Sequence, residues 1–288
     1  MKPPRFSYIA PRSVEHALEV LAASEEDAAV LAGGQSLVPL LNMRFARPEV
    51  VVDINGIAAL DTIDITSQGV TLGATVRLSR VETDPGLRAS MPVLPQAASF
   101  VAHPQIRNRT TVGGTLCHAD AAAELPAVAV ALGARLHLRS LARGTRTENA
   151  EDFFLGTFST TKAGDELLVA AEFPRHDGYW VGYDEVARRH GDFPFVGLCL
   201  ALRMADGIVT AARAAAAGAG PRPVRLAALE SELTGQRLTS SVAEAAAEAA
   251  AAEVDPPTDN HGTAAFRRGI LRTLVRRMTT SQAKQEAA

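Results

Sequence analysis

Apolar positions along the chain change their spacing from segment to segment, and the spacing predicts the elements. Val14, Ala17, Leu18 and Leu21 recur at the period of an amphipathic helix, with Ser13 placed to cap its first turn. Two short, mostly apolar runs, Ala28 to Leu31 and Val50 to Ile54, have the length of buried strands. Between them Leu37 to Phe45 is helical in pattern, with Pro39 tolerable only in the first turn. Residues 1–55 therefore predict a β-α-β-α-β unit.

From Asp61 the texture changes, and a second unit is expected over residues 56–174. It has strands at Gly69 to Val76, Ala134 to Leu138 and Asp165 to Phe173, the last stopped by Pro174. Helical segments fall between Leu78 and Ala102, and a rather apolar helix runs from Ala121 to Leu132. Arg175-His176-Asp177-Gly178 makes a linker. A third unit, residues 179–282, opens with two apolar runs, Val196 to Met204 and Ile208 to Ala215, turned by Ala205-Asp206-Gly207. Three helices follow. Ser241-Val242-Ala243-Glu244 has capping-box spacing, and the alanines from Ala243 to Ala252 are helical by propensity. The final helix puts Phe266, Ile270, Leu274 and Met278 on one face, leaving Arg267, Arg272, Arg276 and Arg277 as a solvated surface.

Composition removes several classes of function. A chain of 288 residues, 47% hydrophobic, can bury a substantial core. No apolar run approaches the ~20 residues of a membrane span, and the first residues lack a signal peptide's apolar stretch, so a cytoplasmic location is expected. A net charge of −3 gives no reason to expect nucleic acid. Two cysteines, Cys117 and Cys199, cannot hold a four-thiolate cluster, and the seven histidines show no metal-ligand spacing. Any redox metal in this system is expected on another chain.

Two glycine pairs carry the candidate chemistry: Ala32-Gly33-Gly34-Gln35-Ser36, and Thr111-Val112-Gly113-Gly114-Thr115. A backbone without side chains turns tightly and can present consecutive N–H groups to an anion. Two such loops, each rimmed by a hydroxyl, suit a ligand with adjacent phosphates such as FAD. Ordinary glycine turns between strands and helices are the competing reading. The G-x-G-x-x-G fingerprint is absent, and Gly218-Ala219-Gly220 runs straight into Pro221.

These segments, with Val51-Val52-Asp53-Ile54, the run from His103 to Arg109, Gly191-Asp192-Phe193 and the stretch from Gly218 to Arg225, resemble the flavin-carrying medium subunits of molybdenum hydroxylases. The resemblance covers residues 1–225. It implies an α+β protein with a two-subdomain, non-Rossmann FAD-binding fold and a C-terminal antiparallel sheet with helices. It also implies FAD on this chain, and molybdopterin and 2Fe-2S clusters on a large and a small partner subunit. Leu31, Ala32, Gly33, Gly34, Gln35, Ser36 and Leu37 would wrap the pyrophosphate, with Thr111, Gly114 and Thr115 closing over it. Val101 and Ala102 align with flavin-contacting positions and Cys117 with a small residue lining the cofactor. Asp120 and Glu124 are the acids after the second loop, Glu124 matching one for the adenosine half. Leu167 and Leu168 match an aliphatic pair against the flavin ring, and the face around them and Val101 is where an iron–sulfur partner would dock. Thr110 and Ala121 depart from the usual glycine and proline, and Tyr183-Asp184-Glu185 carries acids where some relatives carry a lysine.

No nucleophile, metal cluster or acid–base constellation stands out, as expected for a subunit that only passes electrons to an external acceptor. A self-sufficient flavoprotein oxidase or reductase, and a non-enzymatic binding or assembly protein, are the rivals.

Overall fold

The protein is described here by a computed structural model covering residues 2–24 and 27–286. The strands β1 (Ser7–Ile9), β2 (Ala28–Leu31) and β3 (Val50–Asp53) form a parallel sheet in the order β1-β3-β2, joined by helices α1 (Val14–Ala23) and α2 (Leu37–Asn42). The Ser13 hydroxyl accepts from the His16 N–H at 3.2 Å, satisfying one of the first-turn donors a helix leaves over. The four apolar positions read as a helical face are the buried residues of α1. The second helix is shorter than its pattern: it stops at Asn42, the chain turns through Arg44 at φ 62°, and Phe45 is left exposed.

After two short 3-10 turns the second sheet begins. Its members are β4 (Ile63–Ile65), β5 (Gly69–Gly73), β6 (Arg135–Ser140) and β7 (Gly144–Asn149), and, beyond a small hairpin of β8 (Phe154–Gly156) and β9 (Ser159–Thr160), β10 (Glu166–Pro174). They pair antiparallel in the order β4-β5-β10-β6-β7. Between β5 and β6 run α3 (Leu78–Thr83), α4 (Pro85–Ser90), α5 (Val93–Phe100), α6 (Pro104–Arg107), α7 (Val112–His118) and α8 (Glu124–Leu132), with α9 (Ala150–Phe153) after β7. Helix α8 starts three residues later than its apolar pattern. Ala119 is left-handed at φ 51°, and the Asp120 carboxylate accepts from the Ala122 N–H at 2.9 Å, so that stretch is a side-chain-closed turn instead. All nine residues of α8 are buried.

The third sheet, β11 (Tyr179–Ala187), β12 (Pro194–Ala205), β13 (Ile208–Ala217) and β14 (Val224–Arg225), is antiparallel in that order. The β12–β13 turn uses Asp206 at φ 53° and Gly207 at φ 74°, the two positive angles that match hairpin twist. Successive residues of β12 face opposite sides. Val196, Leu198, Leu200 and Leu202 enter a core with helices α10 (Ala227–Leu233), α11 (Ser240–Glu253) and α12 (Ala264–Glu286), while Cys199 and Ala201 join the core built on α5 and α8. Burial on both faces explains why β12 reads as an unbroken apolar run.

Three C-terminal expectations are corrected. Thr239, not a serine two residues later, caps α11, accepting from the Val242 N–H at 3.3 Å. Of the arginines expected at the surface of α12, Arg267 is buried, while Arg272, Arg276 and Arg277 stay solvated and form ion pairs there. Arg267 is 5% exposed and pairs with Asp259 at 2.8 Å, and Arg272, Arg276 and Arg277 bridge to Glu248, Glu244 and Asp184 at 2.8, 2.9 and 2.5 Å. Phe266 leaves the buried face at 48% exposure, whereas Ile270, Leu274 and Met278 stay in it. Among the described residues no helix is long and apolar enough to cross a membrane.

Candidate functional site

A cavity of about 520 Å³ opens where the two glycine loops meet, with walls from β2, α7, β10 and the segment before β12. Ala32, Gly33, Gly34, Gln35, Ser36, Leu37, Val101, Ala102, Thr111, Gly114, Thr115, Cys117, Asp120, Glu124, Leu167 and Leu168 all line it. Leu31 does not. Its side chain faces away from that of Val30 and lies beneath the loop, where a β-carbon on Gly34 would come within 3.2 Å of it.

The first loop is polarised. Its carbonyls are tied back: Asn55 Nδ2 donates to the Ala32 carbonyl at 2.7 Å, Gln35 Nε2 to that of Gly33 at 3.2 Å, and the N–H groups of Val38 and Leu40 to those of Gly34 and Ser36 at 3.1 and 3.2 Å. The N–H groups of Gly33, Gly34, Gln35 and Ser36 find no acceptor among the described residues. Consecutive donors without acceptors, with Gly34 in the left-handed region at φ 76°, make a concavity for an anion. The residues present thus fit a pyrophosphate.

Asn55 holds this polarity and was not singled out from sequence. Its amide also donates to Asp53 Oδ1 at 2.6 Å, and its oxygen accepts from Arg77 at 2.5 Å. Arg77 in turn donates to the Arg109 carbonyl, so one network ties the first loop to the second unit. The only signal in the sequence was the two-residue spacing from Asp53, a common side-chain turn. Asn55→Ala is expected to weaken FAD binding about tenfold, the loss of one hydrogen bond's worth of positioning, with an unchanged far-ultraviolet circular dichroism spectrum. Equilibrium dialysis against FAD measures the first, and an affinity equal to the parent's would remove Asn55 from the site.

The second loop works differently from the first. The amides of Val112, Gly113 and Gly114 are already taken by the carbonyls of Val76 and Ala74 and by the Thr111 hydroxyl, at 3.0, 2.8 and 3.1 Å. It therefore offers the cavity the hydroxyls of Thr111 and Thr115, not a run of N–H groups. Its glycines serve packing: a β-carbon on Gly114 would press on the Thr111 hydroxyl at 2.7 Å.

Val101 and Ala102 form a rim turn, with Ala102 left-handed at φ 44°. Buried Arg107 holds it, donating to both carbonyls at 3.0 and 2.9 Å and to Glu82 at 2.7 and 3.1 Å. Leu167 and Leu168 sit in two different cores, Leu167 with the first unit and Leu168 with the second, and both still reach the cavity. At 3% and 2% exposure they offer no open face to a docking partner; of that expected face only Val101 lies at the rim, near exposed Phe193.

Lys162, which sequence reasoning also missed, lines the cavity and donates to the carbonyls of Ala163 and Glu166 at 2.9 and 3.2 Å. Burial pushes the Cys117 thiol up to about 11, opposed by nearby Lys162, so it is a packing residue rather than a thiolate. Burial lowers His118, with Asp120 opposing; its ring stacks on Phe158 at 4.7 Å. Asp184 and Glu185 are not on the cavity wall: Asp184 pairs with Arg277, and Glu185 accepts from the Tyr183 hydroxyl at 3.0 Å. Among the described residues no group of histidine, cysteine and acid is placed to hold a metal.

Comparison with known proteins gives the geometry its context. Residues 4–176 match a family described as the FAD binding domain in molybdopterin dehydrogenase, and residues 182–282 match the CO dehydrogenase flavoprotein C-terminal domain. The chain is 40% identical to the 6-hydroxypseudooxynicotine dehydrogenase complex subunit alpha of Paenarthrobacter nicotinovorans, over 96% of this chain and 94% of that one. Among solved structures it is similar to quinoline 2-oxidoreductase from Pseudomonas putida 86, at a TM-score of 0.94 and 36% identity over 99% of each chain. It is also similar to carbon monoxide dehydrogenase from Hydrogenophaga pseudoflava lacking the Mo-pyranopterin moiety of its cofactor, at 0.93 and 36% over 96% of each.

Proposed function

Because this chain belongs to the FAD-binding family of molybdopterin dehydrogenases, we propose that it takes electrons from 2Fe-2S clusters on a small partner subunit and delivers them to an external acceptor. A large partner subunit carrying molybdopterin would oxidise the organic substrate. The observation that carries this reading is the row of acceptor-free N–H groups in the first loop, whose residues line one cavity together with Thr111 and Thr115 of the second.

Bound FAD would supply the redox chemistry, taking up electrons and passing them on. The chain's own residues do the rest. Gly33 to Ser36 receive the pyrophosphate, Thr111 and Thr115 close on its other side, and the leucine pair walls off water. Asn55 and Arg107 hold the loop and the rim turn in place. The cavity wall carries no nucleophile paired with a base, which supports substrate chemistry on another chain. Both cysteines are free and buried or half-buried, which supports a cytoplasmic site of action.

Acid precipitation of the purified chain should release yellow FAD into the supernatant. FMN in the extract, or colour kept on the denatured protein, would sink the cofactor assignment. Expressed alone, the chain should oxidise no organic substrate, whereas co-expression with its genomic neighbours should yield a complex of molybdenum, iron and flavin. Substrate turnover by the metal-free chain would promote the self-sufficient flavoprotein in its place.

A further inference from the structure

One acid of the cavity has no role in the account above. Glu124 opens α8 at 3% exposure and lines the cavity; its carboxyl has a hydrogen bond from its own backbone N–H, and among the described residues no other side chain pairs with it. A buried carboxyl with so little support is costly in its ionised form and, when protonated, is a donor waiting for an acceptor.

The groups facing it do not favour a negative charge. Asp120 lies in the turn before α8, and β11 contributes Tyr183 and Glu185, with Cys199 of β12 behind Tyr183. The two basic groups on the cavity wall are engaged elsewhere, Lys162 with two carbonyls and His118 with the Phe158 ring. Burial pushes Glu124 up to about 8, with Glu185 and then Asp120 adding to it; its own backbone N–H opposes, as does the start of a helix. Burial likewise raises Glu185 to about 7, with the Tyr183 hydroxyl opposing and Asp184 adding. Burial and the neighbouring acids thus favour the protonated form of Glu124.

We infer that Glu124, buried in the cavity wall with Glu185 and Asp120 facing it, donates a hydrogen bond from its protonated carboxyl to an acceptor atom, a ring carbonyl oxygen or ring nitrogen, of the bound cofactor. The inference rests on the FAD reading. It replaces the picture of a carboxylate accepting from the cofactor with the reverse polarity. It also gives a use to Glu185, which stands on β11 where some relatives carry a lysine.

The sign of the pH dependence follows. Only the protonated carboxyl donates, so affinity is full below the pKa of the free protein and is lost as pH rises through it. The full chain, stripped of FAD, is titrated with FAD and separately with ADP between pH 6 and pH 9. The FAD Kd of the parent protein should rise about tenfold from pH 7 to pH 9, one decade per unit above the midpoint. Glu124→Gln keeps an N–H donor that cannot titrate, and its Kd should change by less than about twofold over the same range. Glu185→Gln removes the like charge, so its loss of affinity should begin at lower pH than the parent's. A step seen with ADP as well puts the acceptor on adenine, and a step seen with FAD alone puts it on the flavin ring; either supports the inference. A flat profile in a parent that binds FAD at pH 7, or a slope in Glu124→Gln equal to the parent's, would overturn it. No saturable FAD binding by the parent at pH 7 would overturn the FAD reading itself, and this inference with it.

Discussion

Gly33→Val is expected to purify without FAD, its affinity lowered at least about a hundredfold, or about 2.7 kcal/mol. Sequence alone attributes such a loss to a side chain standing where the pyrophosphate approaches. The structure gives a different cause. A β-carbon at residue 33 would lie 2.4 Å from the Arg109 carbonyl oxygen and 2.9 Å from the Thr110 Cα. Both are backbone atoms of the segment entering the second loop, so no rotamer change relieves the contact. The two loops must part, and the anion concavity opens with them. Because the obstruction is the first carbon of the side chain, Gly33→Ala should lose most of the affinity as well. Gly156→Ala, where a β-carbon meets nothing within 4 Å, is the control expected to bind like the parent. Fluorescence titration with FAD reads all three, and a full complement of FAD in Gly33→Val would show that the loops can separate without harm to the site.

Arg107→Met should lower the melting temperature by roughly 5–10 °C and FAD affinity by about tenfold or more. The arginine is 6% exposed and uses three nitrogens at once, two on Glu82 and one on the carbonyls of Val101 and Ala102. Truncation strands those carbonyls and leaves Glu82 facing an apolar chain. Breaking a fully buried pair costs about 3–5 kcal/mol, and Glu82 at 25% side-chain exposure recovers part of that from water, so about 2–3 kcal/mol is expected. The rim turn includes Ala102 at φ 44°, a conformation its side chain does not favour and which the guanidinium helps to hold. Arg107→Lys should rescue little, because an ammonium on a flexible stem cannot reproduce a planar fork. Scanning calorimetry with and without FAD separates the two effects. Unchanged melting and unchanged affinity in Arg107→Met would deny the rim turn any dependence on this residue.

Elements whose partners are neighbours in sequence were legible before the structure. The buried face of α1, the Asp206-Gly207 hairpin turn and the existence of strands β2 and β3 follow from periodicity, caps and turn residues, which are local properties of the chain. Helix boundaries failed where a side chain closed a competing turn. Asp120 did so before α8, and Thr239 moved the start of α11. Neither competition changes the apolar pattern, so neither is visible in it.

The candidate site divides along the same line. The glycine pairs and the hydroxyls beside them were evident because their residue types suit a phosphate, the leucine pair on β10 came from the family resemblance, and sixteen of the seventeen positions singled out line one cavity. Asn55, Lys162 and Arg107 were not, since an amide, a lysine and an arginine gain their roles only from the backbone carbonyls brought to them. The like-charge influence of Glu185 on Glu124 belongs to the tertiary structure alone, because α8 and β11 meet only when the second and third sheets share a core. Sequence by itself determined which backbone could turn tightly and which faces had to be buried, both set within a few residues. Tertiary structure decided which donors were left without acceptors and which acid favours its protonated form. Those depend on what water can no longer reach, and that is fixed only when distant segments close on one another.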